Sequence, residues 1–215
     1  MHWNTVNPLL QKVLKDIMSS AAFESFCLVG GTSLSLKIGH RMSVDIDLFT
    51  DAAYGSIDFS VLEQFFKNNY SYVDTNAGLG IGMGVSYYVG ESESAAIKVD
   101  IYYTEDFIRP ITDEDHIRLA STEDIIAMKL DVIGRGGRKK DFWDLHALQE
   151  DYSISDMISL YQERYPYAHS DEEIRAGLVN FEIADDDFDP VCLLGKHWEL
   201  IKLDFIQWLS EDELN

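Results

Sequence analysis

Two aspartates, Asp45 and Asp47, are separated by one residue in a segment whose remaining positions are mostly apolar. In a β-strand, residues i and i+2 lie on the same face, so both carboxylates project from one side. Two like charges held this close are unfavourable unless a cation lies between them, and a hard divalent ion such as Mg²⁺ or Mn²⁺ suits carboxylate oxygens. We therefore predict that Asp45 and Asp47 bind a metal. The alternative is that both carboxylates lie on a surface strand, where they are solvated and bind no ligand.

A glycine turn precedes this pair. The apolar run 26–29 ends at Gly30 and Gly31, and a short helical pattern continues through Thr32 and Ser33. Backbone amides at such a turn and at a helix N-terminus bind phosphate oxygens, so we predict that these four residues bind a nucleotide. A Gly-Gly turn before a helix also occurs without any ligand. Its combination with the two aspartates, however, indicates a single phosphate-transfer site.

Asp100 is the single acidic residue near the centre of the strand pattern 97–103. If this strand lies beside the strand of Asp45 and Asp47, Asp100 becomes a third carboxylate. It would then complete the metal site or accept the proton from an attacking hydroxyl. The alternative is a surface aspartate on an edge strand.

The elements that must position these residues follow a mixed order up to residue 110 and a helical order after it. Apolar periodicity predicts helices over 7–19, 32–39 and 59–68 and strands over 26–29, 44–49, 85–89 and 96–103. Glycines alternate through 78–84, which we interpret as a turn or strand entry because the spacing is not that of a dinucleotide-binding motif. Further helices are predicted over 123–133, 140–150, 154–164, 171–180 and 197–210.

The composition is that of a globular protein with an unusual charge. The chain has 215 residues, 46% of them hydrophobic, and neither a membrane-spanning apolar run nor a signal peptide is expected, so we predict a cytoplasmic protein without membrane contact. Two cysteines without metal-ligand spacing are interpreted as reduced and structural. The formal net charge of −21 excludes a broad basic groove for nucleic acid.

The charge is also uneven along the chain. Five of the 17 basic residues lie between Lys129 and Lys140, whereas the chain from Glu150 onward has seventeen acidic and four basic residues. The C-terminal region therefore contributes 13 of the 21 net negative charges.

Two blocks of sequence resemble a known family. The segment Gly30-Gly31-Thr32-Ser33-Leu34, followed by 39–49 with its two aspartates, is similar to the minimal nucleotidyltransferase signature of the DNA polymerase β-like superfamily, in the form found in AbiEii/AbiGii-type toxins. The second block, 125–130 followed by Arg135 and 138–145, resembles that family's downstream lysine and its R/K-D-x-x-D-L motif. The resemblance covers residues 22 to 150.

The resemblance implies an α+β fold, in which a small mixed nucleotidyltransferase sheet flanked by helices is followed by a helical C-terminal region. We expect a nucleotidyltransferase core over 1–115 and a helical region over 116–215 that completes the active site. Asp45 and Asp47 would hold Mg²⁺, and Lys129 would neutralise the nucleotide phosphates as a binding and catalytic residue. Asp141 would be a further catalytic residue. The alternatives are a solvated ammonium for Lys129 and a purely helix-stabilising role for Asp141.

The implied activity is transfer of a nucleoside monophosphate from a nucleoside triphosphate to an acceptor, either RNA such as tRNA or a protein. The family further implies a toxin of a toxin-antitoxin or phage-defence system, with a cognate antitoxin protein as a partner. A basic run in the second block would bind acceptor phosphate, or it would only keep a loop solvated; it consists of Arg138, Lys139 and Lys140. The acidic excess also suits a small-molecule nucleotidyltransferase with cationic, antibiotic-type acceptors. A third alternative is a catalytically silent partner-binding protein of the same fold.

Overall fold

The chain divides into two compact units in the computed structural model, which describes residues 1–75 and 82–212. The first unit comprises Met1–Lys37 and Ser43–Ala120, and the second comprises Ile38–Met42 and Ser121–Asn215. The short segment Ile38–Met42 therefore belongs to the second unit although both of its flanks belong to the first. Gly78 and Gly80 of the glycine-rich stretch lie outside the described residues.

The first unit is built on one mixed sheet of seven strands in the order β3-β4-β5-β2-β1-β7-β6. The strands are β1 (Cys27–Leu28), β2 (Asp45–Thr50), β3 (Tyr72–Thr75), β4 (Gly84–Ser92), β5 (Ala95–Tyr103), β6 (Thr112–Glu114) and β7 (Ile117–Leu119). β2 runs parallel to β5 and antiparallel to β1, while β4 and β5 form an antiparallel hairpin. The helices of this unit are α1 (Pro8–Ser19), α2 (Gly30–Ile38) and α3 (Phe59–Asn69).

One face of this sheet is buried by apolar residues. Along β2 and β5 every second residue is buried, including Ile46, Leu48, Val99 and Ile101. Helix α1 packs against β2, β5 and β7. It begins where its pattern predicts, because Pro8 occupies its first position and the Asn7 side chain accepts a hydrogen bond of 2.8 Å from the Leu10 amide. The residues between the buried ones on β2 and β5 share the opposite, half-buried face.

The second unit is helical in its described part. It contains α4 (Thr122–Gly134), α5 (Lys139–His146), α6 (Ile154–Arg164), α7 (Asp171–Leu178), α8 (Glu182–Asp185) and α9 (Trp198–Asp212). Helix α4 packs against α6 and α7, and α5 packs against α9, where Phe142 meets the rings of Trp198 and Phe205. The Ser121 hydroxyl caps α4 by accepting from the Asp124 amide, as its sequence predicts. Among the described residues no helix is long and apolar enough to cross a membrane.

One prediction about this region was wrong. The change to helices was expected after Pro110, but residues 112–119 first form the hairpin β6–β7. Its two-residue turn has positive φ at both Asp115 and His116, which matches the twist of paired strands. Each strand has three residues, too few for an alternating pattern to stand out.

Candidate active site

The glycine turn and the aspartate pair lie against each other in the first unit. Strand β1 pairs with β2, and the Val29 amide donates a 2.9 Å hydrogen bond to the Asp47 carbonyl, so the chain reaches Gly30 beside Asp47. Gly30 has φ of +66°, and a Cβ added there would lie 2.5 Å from Asp47 Oδ2. Glycine is therefore required both for the backbone conformation and for the approach of the carboxylate.

The side chains of Thr32 and Ser33, which follow the glycine turn, are buried inside the first unit. The Thr32 hydroxyl lies 2.7 Å from the Ser43 hydroxyl and donates to the Asp45 carbonyl, so it fixes the start of α2 to the start of β2. The Ser33 hydroxyl is fully buried and has no hydrogen-bond partner among the described residues. Both side chains are thus enclosed, and the groups that this turn offers to a ligand are the backbone amides of the first helical turn.

The three aspartates predicted to form the site, Asp45, Asp47 and Asp100, share the half-buried face of the sheet. The parallel register aligns Asp45 with Lys98 and Asp47 with Asp100 on neighbouring strands, which are about 4.8 Å apart. The structure therefore meets the condition stated for Asp100, because β5 lies beside β2 in the interior of the sheet. The alternative of an edge-strand aspartate is wrong.

Asp100 is already engaged by two neighbouring side chains that the sequence analysis did not single out. Lys98 Nζ lies 2.6 Å from Asp100 Oδ2, and the Ser86 hydroxyl donates a 2.5 Å hydrogen bond to Asp100 Oδ1. Burial works to lower the pKa of Lys98, but Asp100 and Asp45 outweigh it and raise that pKa. A signal for Lys98 was present, since it stands two residues before Asp100 in a strand and must share its face.

The donor set of this face fits a hard divalent ion. It consists of carboxylate oxygens next to a glycine turn whose amides suit phosphate, which is how Mg²⁺ binds together with substrate phosphates. Within residues 1–75 and 82–212, no group of three or more His, Cys, Asp or Glu side chains is arranged to hold a metal ion. The carboxylates that suit such an ion are therefore those of the pair Asp45 and Asp47.

In the second unit, Lys129 lies between two buried carboxylates. Its ammonium is 2.6 Å from Asp141 Oδ1 and 2.7 Å from Asp144 Oδ2, and Lys129 is only 6% exposed. Burial by itself would lower the pKa of Lys129, but the two aspartates hold it above its ordinary value. The alternative of a solvated ammonium is wrong.

Asp141 joins α5 to this lysine. Its second oxygen, Oδ2, accepts hydrogen bonds from the backbone amide and Nε of Arg138, so it also stabilises the helix N-terminus. Burial alone would raise the pKa of the Asp141 carboxyl, whereas Lys129 and Arg138 hold it below its usual range. The residues of the basic run 138–140 do not share one role. Arg138 binds Asp141, whereas Lys139 is buried and pairs with Asp189 at 2.8 Å.

Asp144 anchors the segment Ile38–Met42. The Arg41 guanidinium binds it in a fork, with Nε 2.6 Å from Oδ1 and Nη2 2.9 Å from Oδ2, and His40 Nε2 lies 2.7 Å from Oδ1. Burial would raise the pKa of the Asp144 carboxyl, but Lys129 and Arg41 hold it well below its ordinary value. Neither Arg41 nor this role of Asp144 was predicted, since about a hundred residues separate the partners in sequence.

Comparison with known proteins identifies the family. The profile described as "Nucleotidyl transferase AbiEii toxin, Type IV TA system" matches residues 12–207. The uncharacterized protein aq_aa25 of Aquifex aeolicus (strain VF5) is 27% identical over 213 residues, covering 94% of each chain.

Solved structures share the fold. A proposed nucleotidyltransferase of Helicobacter pylori superposes with a TM-score of 0.58 at 19% identity, covering 96% of this chain and 94% of that one. The nucleotidyltransferase toxin MenT4 of Mycobacterium tuberculosis gives a TM-score of 0.55 at 14% identity, covering 94% and 83%. Together with the α+β fold and the matched motifs, the profile match shows that this chain belongs to the AbiEii nucleotidyltransferase toxin family.

Proposed function

We propose that this protein transfers a nucleoside monophosphate from a nucleoside triphosphate to a hydroxyl of an acceptor, either RNA such as tRNA or a protein. The observation that supports this most directly is the contact of Gly30 with Asp47. It brings amides suited to phosphate next to carboxylates suited to a metal, which are the two requirements of phosphoryl-type transfer.

Asp45 and Asp47 would hold Mg²⁺ or Mn²⁺, which when bound supplies positive charge to the phosphate oxygens. The amides at Gly30 and Gly31 would orient the triphosphate, and rate enhancement would come mainly from positioning and charge stabilisation. Asp100 would act as a third ligand of the metal or as the base that accepts the proton of the attacking hydroxyl.

Lys129 and Asp141 are proposed to serve the same reaction. An ammonium has three N–H donors, and among the described residues Asp141 and Asp144 take up two of those of Lys129. The third is suited to a phosphate oxygen. The role of Asp141 in this proposal is to hold Lys129 charged and oriented.

The family suggests that the transfer is toxic and is countered by an antitoxin protein. A small-molecule acceptor is a second candidate, favoured by the net charge of −21, because such acceptors are cationic in antibiotic-type reactions.

The test is labelled-nucleotide transfer to a whole-cell extract, resolved into RNA, protein and small-molecule fractions. The wild type should label one fraction in the presence of Mg²⁺, and the double variant Asp45→Asn/Asp47→Asn should label none. Asp113→Asn is the matched control, because Asp113 is exposed on β6, and it should label like the wild type. Equal labelling by a folded Asp45→Asn/Asp47→Asn protein would disprove the assignment.

A further inference from the structure

Helix α9 carries apolar residues on two of its sides. One side, which includes Ile201 and Phe205, is buried where α9 packs against α5 and α6. The other side bears Leu200, Leu203 and Ile206, which are 55%, 60% and 47% exposed. Their spacing of three residues places them along one stripe of the helix surface, about 9 Å long. A solvated helix face normally carries polar residues, so a contiguous apolar stripe indicates a contact surface.

The stripe leads into a groove between α9 and α7. Ile206 and Leu209 of α9 and Ala176 and Val179 of α7 line this groove, which has a volume of about 400 Å³. Val179 is itself 41% exposed, so the apolar surface continues from the stripe across the groove to α7. A groove between two helices, lined by apolar side chains, is the geometry in which an amphipathic helix of a partner docks.

The border of this apolar surface is acidic. Glu172 lines the groove, and Glu199, which is four residues before Leu203 and therefore its neighbour on the helix, has 80% of its side chain exposed. The basic residue of the groove lining, Arg175, is already held by one carboxylate on each helix, at 2.9 and 2.8 Å. Helices α7 and α9 together contain seven acidic and two basic residues. The surroundings of the groove therefore attract positive charge.

This charge also decides which occupant suits the surface. A second copy of the chain would bring two identical acidic patches together, because a two-fold contact uses the same surface on both chains. Anionic lipid headgroups and nucleic acid would be repelled in the same way. A protein segment with Lys or Arg beside its apolar residues would instead complement both the stripe and the carboxylates.

We propose that the stripe on α9 and the groove between α7 and α9 dock a basic amphipathic helix of a partner protein. The partner helix places its apolar residues against Leu203 and Ile206 and its Lys or Arg side chains against the carboxylates of the border. This inference involves residues of the second unit alone. It goes beyond the proposed function and does not depend on nucleotide transfer or on a bound metal.

The experiment measures binding of synthetic peptides to the full chain by fluorescence anisotropy. The test peptide, of about 18 residues, has Leu on one helical face and Lys on the rest; one control peptide has the same composition in scrambled order, and the other has Glu in place of Lys. The wild type should bind each control peptide about tenfold more weakly than the test peptide.

The double variant Leu203→Gln/Ile206→Gln should bind the test peptide about tenfold more weakly than the wild type, because two apolar contacts are lost. Glutamine keeps the helix propensity of α9, and circular dichroism verifies the fold. Val61→Gln is the matched control, because Val61 is a 49% exposed apolar residue on helix α3, and this variant should bind like the wild type.

Five other results would overturn the proposal. If the scrambled peptide binds as tightly as the test peptide, charge alone is responsible, and if the Glu peptide does, charge has no part. If the double variant binds like the wild type, the peptide binds elsewhere. A wild type that sediments as a dimer, while the double variant sediments as a monomer, identifies a second copy as the occupant. Binding to vesicles with anionic lipid that is lost in the double variant identifies a membrane.

Discussion

At the scale of single residues, the candidate site depends on an absent side chain as much as on charged ones. Gly30 adopts a left-handed backbone conformation and leaves room for Asp47 Oδ2, so one residue sets both the path of the turn and the place of the carboxylate. Gly55 provides a natural comparison, because its φ is +82° but no atom lies within 4 Å of an added Cβ.

We expect Gly30→Ala and Gly55→Ala each to lower the free energy of unfolding by about 1–2 kcal/mol, the cost of a left-handed alanine. Only Gly30→Ala should also displace the Asp47 carboxylate, and its rate of nucleotide transfer should fall on the order of 100-fold. Urea unfolding and the transfer assay measure the two effects separately. An equal loss of activity in both variants would show that backbone strain, and not the contact with Asp47, is responsible.

At the scale of elements, buried charges hold the helical unit together. Asp144 on α5 receives the Arg41 fork from the segment Ile38–Met42 and the Lys129 ammonium from α4. Removing one member of such a cluster leaves charges that are buried without compensation, and this is costly. These contacts therefore make the relative position of α4, α5 and the segment sensitive to a single carboxylate.

Asp144→Asn should lower the free energy of unfolding by about 3 kcal/mol near neutral pH. Because the folded-state pKa of Asp144 is held well below 3.8, its stabilisation is fully present above that pH and is lost as pH falls through the folded-state pKa. The difference between wild type and variant should thus shrink on acidification, as measured by urea unfolding at several pH values. Glu63→Gln, which removes an exposed pair with Lys67, should cost less than about 1 kcal/mol at every pH, and a constant Asp144→Asn difference would contradict the prediction.

Elements with strong local signals were predictable, and contacts distant in sequence were not. Helix α1, with its Asn7 cap and periodic apolar residues, and α4, with its Ser121 cap, begin where the sequence places them. The hairpin β6–β7 was missed because three-residue strands carry little periodicity. In the site, Gly30 and the aspartates follow from local spacing, whereas the Arg41–Asp144 fork depends on tertiary packing that no local pattern encodes.

At the scale of the whole molecule, the net charge of −21 affects both the stability of the fold and the binding of charged partners. Repulsion among the carboxylates opposes the compact state. Salt at 0.1 M screens this repulsion between exposed charges that are more than about 10 Å apart. The same charge opposes nonspecific binding to nucleic acid, so any RNA acceptor has to be recognised through particular contacts.

The thermal midpoint of unfolding should therefore rise by a few degrees between about 20 mM and about 500 mM NaCl, since screening relieves repulsion among carboxylates. Differential scanning fluorimetry measures this directly. A midpoint that falls with salt would show that the ion pairs on the surface outweigh the repulsion.

The segment Ile38–Met42 has a consequence for how this protein can be recombined with its relatives. His40 and Arg41 are encoded between the glycine turn and the aspartate pair, yet their carboxylate partner Asp144 is encoded near the start of the helical half. A chimera joined at residue 120 would combine a buried guanidinium from one parent with a carboxylate pocket from another. Residues 38–42 should therefore be exchanged together with the C-terminal half, so that the guanidinium and its carboxylate come from one parent.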